Sequence, residues 1–357
     1  MKKSIVLLFI LVLVLSSCSV RKSDARTSDP SEIHNETSSL PEGDSDKTSG
    51  WQGLNVMLTR PDNWEKIIEN PVVSYEDLQL IDGSTATIPI TAELFRQFYD
   101  VTDEKLRQYI DGLSGPFYHS TTHNAYVNLI VTKNNELTSS LEDYRGKPSN
   151  LILVTPPSDE EKQLAKDKGV ELDLTPVAKD GFVFITHRNN PVESLTIEQI
   201  QDIYTGKITN WNQVGGENLE IKAYQREQNS GSQTAMEQIV MQGKQMMPSI
   251  NTMAHDMAGL VEAVAEYENG NASIGYTYYY YINNLYKNDN IKVININGTA
   301  PVNENLLSGA YPFTTSYYAV IRGGEPQNSA ARKLRDFLVS SKGQELIAMA
   351  GYCKAVN

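Results

Sequence analysis

The chain has 357 residues, 40% of them hydrophobic and 21% charged, with a formal net charge of −13. That length is more than one compact core usually serves and suits two lobes. The acidic balance excludes wholesale nucleic-acid binding, and two cysteines, Cys18 and Cys353, are too few for a disulfide framework or a cysteine-based zinc site.

Residues 1–18 read as an export signal. Lys2 and Lys3 precede an apolar run from Ile5 to Leu15 that is too short to cross a bilayer as a lasting helix. Loss of the leader removes those two lysines and leaves −13 − 2 = −15. Leu15-Ser16-Ser17-Cys18 resembles the bacterial lipoprotein signal. That likeness implies lipidation of Cys18 and a lipid anchor on the extracytoplasmic face of the cell membrane. Residues 19–50 are rich in Ser, Thr, Asp, Glu, Lys and Gly and cannot bury enough apolar surface to order themselves, so a flexible tether is expected. Residues 51–72, with Trp51 and Trp64, are expected to form a short helix or an extension packed on the globular part.

The globular part alternates strand-like and helix-like segments, the pattern of an α/β fold. Leu78–Ile81 reads as a strand, and the turn Asp82-Gly83-Ser84-Thr85 leads into a helix over about 89–100. His119-Ser120-Thr121-Thr122-His123 precedes a second helix over 124–131. The two histidines lack a third partner, so no metal is read there. Residues 150–154 form an apolar strand, and Ser158 with Glu161 is a capping box for a helix to about Lys168. Two further strands are expected, over 171–176 and 181–186. Thr196 and Gln199 then start a helix, 221–224 is a strand, 262–267 a helix, and Ser273 opens another strand. The tyrosine run 278–281 reads as packing rather than as a ring-stacking surface. After a strand over 317–321, residues 330–350 read as one long helix with Gly343 inside it.

The stretch Arg226 to Thr234 stands out. Arg226 is followed by Ser230-Gly231-Ser232 and then by a helical run over 233–242, with Ser230 or Ser232 as N-cap. A helix start offers unpaired N–H groups and the positive end of its dipole, Gly231 permits close approach, and a guanidinium fork suits an oxyanion. One arginine and local backbone dipoles can hold a small anion despite distant negative charges. Ser84 and Thr85, and Thr121 and Thr122, supply hydroxyls at two similar helix starts. No Ser-His-Asp spacing, metal cluster, phosphate-loop motif or cofactor motif is evident, so no enzyme is read.

Residues 190–216 followed by 224–237 (NPVESLTIEQIQDIYTGKITNWNQVGG and YQREQNSGSQTAME) resemble the phosphate-binding protein of bacterial phosphate ABC transporters. The segments 81–90, 150–158, 178–192, 272–276 and 311–320 fall where that family has its own blocks, so the likeness covers roughly 75–357. It implies a two-lobed, type II periplasmic-binding-protein-like fold with two hinge crossings. Lobe one would comprise 73–184 and 316–357, lobe two 185–315. It also implies inorganic phosphate or a similar oxyanion as ligand, an ABC permease in the membrane as partner, a monomeric state and no nucleic acid. Ser84, Thr85, Thr121, Thr122, Arg226, Ser230, Gly231 and Ser232 match the family's ligand turns. One departure concerns the turn after the 150–154 strand. The family usually carries an acidic acceptor for the hydrogen of protonated phosphate there. This chain has Thr155-Pro156-Pro157, and only Asp82 or Asp159 stands nearby as a replacement. Sulfate is therefore a competing ligand. A non-transport signalling or surface-interaction lipoprotein on the same fold is the competing role.

Overall fold

The computed structural model describes residues 64–111, 119–133, 136–137, 148–249, 252–266 and 271–355. The export signal, Cys18 and the tether up to residue 63 lie outside them. The extension expected before the globular part is seen from Trp64 onward. Trp64 Nε1 donates to Glu93 at 2.7 Å, the Ile67 amide donates to Gln97 at 2.8 Å, and Ile68 is buried.

The first half opens with helix α1 (Tyr75–Leu78) and strand β1 (Ile81–Gly83). The strand expected over 78–81 is thus displaced. Ser74 accepts the Asp77 amide at 3.1 Å and caps a helical turn that buries Leu78, so extended chain begins only at Ile81. A short 3-10 turn over Thr85–Thr87 leads into α2 (Ile88–Tyr99), followed by α3 (Asp103–Asp111) and α4 (Thr122–Val131). A small hairpin pairs β2 (Thr132–Lys133) with β3 (Glu136–Leu137). Strand β4 (Leu151–Val154) is buried throughout, and α5 (Asp159–Asp167) begins with the expected capping box of Ser158 and Glu161.

Strand β5 (Leu172–His187) is one 16-residue strand where two were expected. Pro176 suggested a break because it cannot donate to a ladder. Instead the pairing with the partner strand shifts at this point, Tyr318 facing Pro176 and Tyr317 facing Ala178. Val177 is left as the extra residue of a bulge, and the strand continues.

Next come β6 (Ser194–Leu195), α6 (Ile197–Tyr204) with the expected Thr196–Gln199 capping box, β7 (Lys222–Ala223) and β8 (Gln225–Arg226). Helix α7 (Gly231–Ala235) continues as a π-helix over Met236–Met241. Then follow β9 (Met253–Ala254), α8 (Met257–Ala265), β10 (Ser273–Tyr278), a second π-helical turn over Tyr281–Leu285, β11 (Ile291–Ile296) and α9 (Asn303–Ser308). The chain closes with β12 (Thr314–Arg322), α10 (Ala330–Leu338), α11 (Ser341–Met349) and β13 (Cys353–Lys354).

The single C-terminal helix expected over 330–350 is therefore two. Ser340 accepts the Gly343 amide at 3.2 Å and restarts the helix. Gly343 is there because the end of α10 presses against it: a Cβ would lie 2.0 Å from the Phe337 carbonyl oxygen.

Among the described residues, β1, β4, β12, β5, β10 and β7 lie side by side in that order. Strand β5 joins two halves. Its first part, up to Gly181, pairs with β12, whereas Phe182–Thr186 pairs with β10 on one side and Phe184–His187 with β11 on the other. The Phe182 amide donates to the Phe313 carbonyl at 2.9 Å just where β12 begins. Two chain crossings therefore run together at this point. Aromatic rings fill the core on its second-half side: Phe182, Phe184, Tyr204 and Tyr276 pack at centroid distances of 5.6–6.2 Å.

Asp180 sits at the crossing, fully buried. Its Oδ1 accepts from the Gly181 amide at 2.7 Å and the Tyr280 amide at 3.0 Å, and its Oδ2 accepts from the Tyr317 hydroxyl at 3.0 Å. Burial nevertheless pushes its pKa up to about 7, against the lowering pull of these three donors. A folded-state value above 3.8 means that the folded chain holds a proton the unfolded chain has released. The stabilisation is complete below the unfolded value and is lost as pH rises toward about 7. Asp180→Asn keeps the Oδ1 acceptor and removes the titration. Relative to the parent, its melting temperature is expected to rise between about pH 4 and about pH 7 in differential scanning calorimetry and to level off above that. A difference that does not change with pH would show that Asp180 is not the titrating group. Gly343→Ala is expected to destabilise by about 1–3 kcal/mol in urea denaturation, because backbone must move to admit the methyl group.

Candidate functional site

One cavity of about 600 Å3 lies between the two halves, and all eight residues singled out in the sequence line it: Ser84, Thr85, Thr121, Thr122, Arg226, Ser230, Gly231 and Ser232. The first half contributes the start of the turn before α2, the start of α4, and Thr155 at the end of β4. The second half contributes β8, the start of α7 and, from β10 onward, Tyr278 and Tyr281.

Ser230 is the N-cap of α7 and accepts the Gln233 amide at 3.2 Å. This resolves the sequence alternative between Ser230 and Ser232. It leaves the Ser232 hydroxyl free to take a hydrogen bond from Arg226 Nη1 at 3.1 Å. Gly231 packs closely against the other half: a Cβ there would meet Thr155 Oγ1 at 2.6 Å and Thr122 Oγ1 at 2.7 Å. Thr121 adopts φ 79° and ψ 164°, a region where β-branched residues are rare. It carries that strain in the turn that presents Thr122 to the cavity.

Arg226 is 7% exposed. Its Nε donates to the Ala254 carbonyl at 3.1 Å and its Nη2 to the His255 carbonyl at 3.2 Å. Its backbone amide donates to the Tyr276 hydroxyl at 3.0 Å. Burial draws the guanidinium pKa down, with Tyr276 and Asp256 opposing. Among the described residues no carboxylate lies within ion-pair distance of it. A buried guanidinium held by carbonyls and one hydroxyl retains N–H donors that its own protein does not use.

Neither carboxylate named as a replacement acceptor reaches the cavity lining. Asp82 is buried behind it and accepts from the Gly83 and Ser120 amides at 2.7 Å each, from Ser120 Oγ at 2.5 Å and from Asn128 Nδ2 at 2.8 Å. It holds the 119–121 turn in place. Asp159 is exposed and pairs with Lys162. In that position the cavity has Thr155, whose buried Oγ1 lies near the Tyr278 hydroxyl but makes no hydrogen bond among the described residues. The two histidines also part. The His119 ring contacts the Ser84 carbonyl at 2.8 Å and the Thr91 hydroxyl at 3.0 Å, while His123 pairs with Glu161 at 2.9 Å, which raises its pKa.

The tyrosine run divides its roles. Tyr280 stacks on Tyr352 at 3.6 Å, which is packing as expected, and the Tyr278 hydroxyl donates to the Gly231 carbonyl at 3.0 Å. Tyr278 and Tyr281 also line the cavity, a placement not anticipated for that run. Glu227, Gln228, His255, Asp256, Met257 and Ala258 also line the cavity beside Arg226, Glu227 paired with His255 and Asp256 accepting the Gly259 amide; a polar segment and an ordinary apolar helix start gave no signal of it.

Two lobes joined by paired crossings, with a polar cavity between them, define a binding-protein architecture. Residues 103–342 match the family model described as the PBP superfamily domain, and the chain belongs to that family. It is 28% identical over 193 residues to the phosphate-binding protein PstS of Staphylococcus saprophyticus, covering 53% of this chain and 60% of that relative. The match therefore spans less than two thirds of the relative's length. A solved structure of a putative phosphate ABC transporter substrate-binding protein with bound phosphate, from Clostridium perfringens, aligns with a TM-score of 0.55 at 26% identity, covering 77% of this chain and 98% of that one. An ABC-type phosphate transport receptor from Vibrio cholerae shares the fold, with a TM-score of 0.52, 21% identity and coverage of 76% and 98%. No helix among the described residues is long and apolar enough to cross a membrane.

Gly231→Ala is expected to weaken anion binding by about tenfold or more in titration calorimetry, since its methyl group would hold the Thr122 and Thr155 hydroxyls off α7. Its melting temperature without ligand should stay close to that of the parent. Unchanged affinity would mean that the halves need not approach here for binding.

Proposed function

We propose that the protein is an extracytoplasmic solute-binding lipoprotein, anchored through Cys18, that captures phosphate between its lobes and delivers it to an ABC permease. The observation that carries this reading is the buried Arg226 guanidinium, without a carboxylate partner among the described residues, facing a cavity rich in hydroxyls. A desolvated cation in such surroundings gains most from an anion that fills its remaining donors. Lobe one would comprise 73–184 and 316–357 and lobe two 185–315, which accords with the change of pairing along β5. Ser84, Thr85, Thr121, Thr122, Ser230, Gly231 and Ser232 would hold the ligand with Arg226. The names of the Staphylococcus and Clostridium relatives support phosphate as the ligand.

Closure follows from differential affinity. An anion that bonds to both lobes stabilises the closed arrangement by as much as it prefers that arrangement over the open one. A non-catalytic role fits a site with an anion cradle in which, among the described residues, no histidine or carboxylate is hydrogen-bonded to the hydroxyl of Ser230 or Ser232. The Thr155 hydroxyl, able to donate or accept, favours a site that also tolerates sulfate: lobe one has no lining carboxylate to demand a ligand proton, and the two from lobe two, Glu227 and Asp256, are engaged by His255 and by the Gly259 amide.

Calorimetric titration of the purified protein with phosphate and with sulfate tests this. Binding of phosphate is expected, and Arg226→Ala should cost about 2–5 kcal/mol of it. Absence of heat with both anions, or an Arg226→Ala variant that binds as well as the parent, would sink the reading.

A further inference from the structure

The lobes already touch along one edge of the cavity. Asn229 Nδ2 donates to Glu160, Gln238 Nε2 donates to the Pro157 carbonyl at 3.1 Å, and Gly231 lies against Thr122 and Thr155. Yet a cavity of about 600 Å3 remains. A tetrahedral oxyanion has five heavy atoms and needs on the order of 100 Å3, a few times the volume share of a water molecule. The remaining space falls within the range of sites for larger organic ligands.

The wall of that extra space differs from the anion cradle. Next to Arg226, whose Nε and Nη2 are tied to the 254–255 backbone, the lining continues as Met257 and Ala258 of the first turn of α8 and as the ring of Tyr281. Tyr281 is 6% exposed, its ring is stacked on Tyr286 at 6.0 Å and 3°, and its hydroxyl makes no hydrogen bond among the described residues. Asp256 on the same stretch is engaged as the N-cap of α8, accepting the Gly259 amide at 2.6 Å. A rigid aromatic ring, a thioether and a methyl group adjoin the guanidinium. They offer an apolar contact to whatever is attached to the bound anion.

We propose that the site takes phosphomonoesters as well as inorganic phosphate, with the ester's organic substituent lying along Tyr281, Met257 and Ala258. This rests on the anion reading of the same site and adds a ligand class to it. A phosphomonoester keeps three of the four phosphate oxygens for Arg226 and the hydroxyls, and the substituent is carried on the fourth.

The test is a calorimetric series on the full-length purified protein with inorganic phosphate, methyl phosphate, phenyl phosphate and phenol. Both esters are expected to bind within about tenfold of phosphate, and phenol not to bind. Ala258→Phe, which narrows the substituent wall without touching a group assigned to the anion, is expected to weaken phenyl phosphate by about tenfold or more while phosphate stays within about threefold. Its melting temperature reports whether the fold is intact. If that variant unfolds, Ala258→Leu with the same readout takes its place. Phosphate binding with either ester weaker by more than about tenfold overturns the proposal and leaves the anion reading standing. Equal loss of phosphate and phenyl phosphate in the narrowed variant overturns it too. No binding by any of the three anions removes both readings together.

Discussion

The structure turns on a buried positive charge, that of Arg226, which no carboxylate among the described residues pairs with. Taking a guanidinium out of water is costly, and the usual remedy is an ion pair. Arg226 has instead two carbonyls and the Ser232 hydroxyl, which orient it without cancelling its charge. Its position is set from several sides. β8 pairs in parallel with β9, and this brings the carbonyls of Ala254 and His255 to the guanidinium. Tyr276 on β10 and Gln233 on α7 both bind its backbone amide. The arginine is therefore held by backbone and core, and cannot swing away to find a carboxylate at the surface.

The opposite wall is built by the same economy of parts. Asp82 ties the Ser120 amide and hydroxyl and the Asn128 side chain to β1, and so fixes the turn that carries Thr121 and Thr122. Its carboxylate is thereby enclosed by donors from its own lobe. The cavity-facing groups of lobe one are mostly hydroxyls, from three chain segments, with His123 beside them paired to Glu161; two of those segments meet because β1 and β4 run parallel and end on the same side. A wall of hydroxyls without a lining carboxylate, facing a cation, favours a negatively charged guest over a neutral one, and hydroxyls adapt to donors and acceptors alike.

The crossing strands give this arrangement its mechanics. β5 belongs to both lobes without interruption, and the Pro176 bulge bends it before the point where it exchanges partners. Asp180 joins Tyr317 of β12 to the backbone at Tyr280, so the crossing is braced by a buried carboxyl group.

Local chemistry in the sequence was enough to find the helix starts at Ser158 and Thr196 and the α/β alternation. Each capping box is complete within four residues. The same locality made Arg226, Ser230-Gly231-Ser232, Ser84-Thr85 and Thr121-Thr122 legible as separate cradles, because a cap and a glycine signal themselves. What needed the tertiary structure was long-range. Leu78 became helical because Ser74 caps it and the core receives it. β5 stayed whole because it absorbs Pro176 in a bulge, Val177 being the extra residue opposite β12. The C-terminal helix broke where Gly343 meets the end of α10. That the cradles share one cavity, that Asp82 stands behind it, and that Tyr281, Met257 and Ala258 flank the arginine were decided by contacts between residues tens to hundreds of positions apart. Periodicity and capping carry no record of such contacts, since they act over a few residues along one segment.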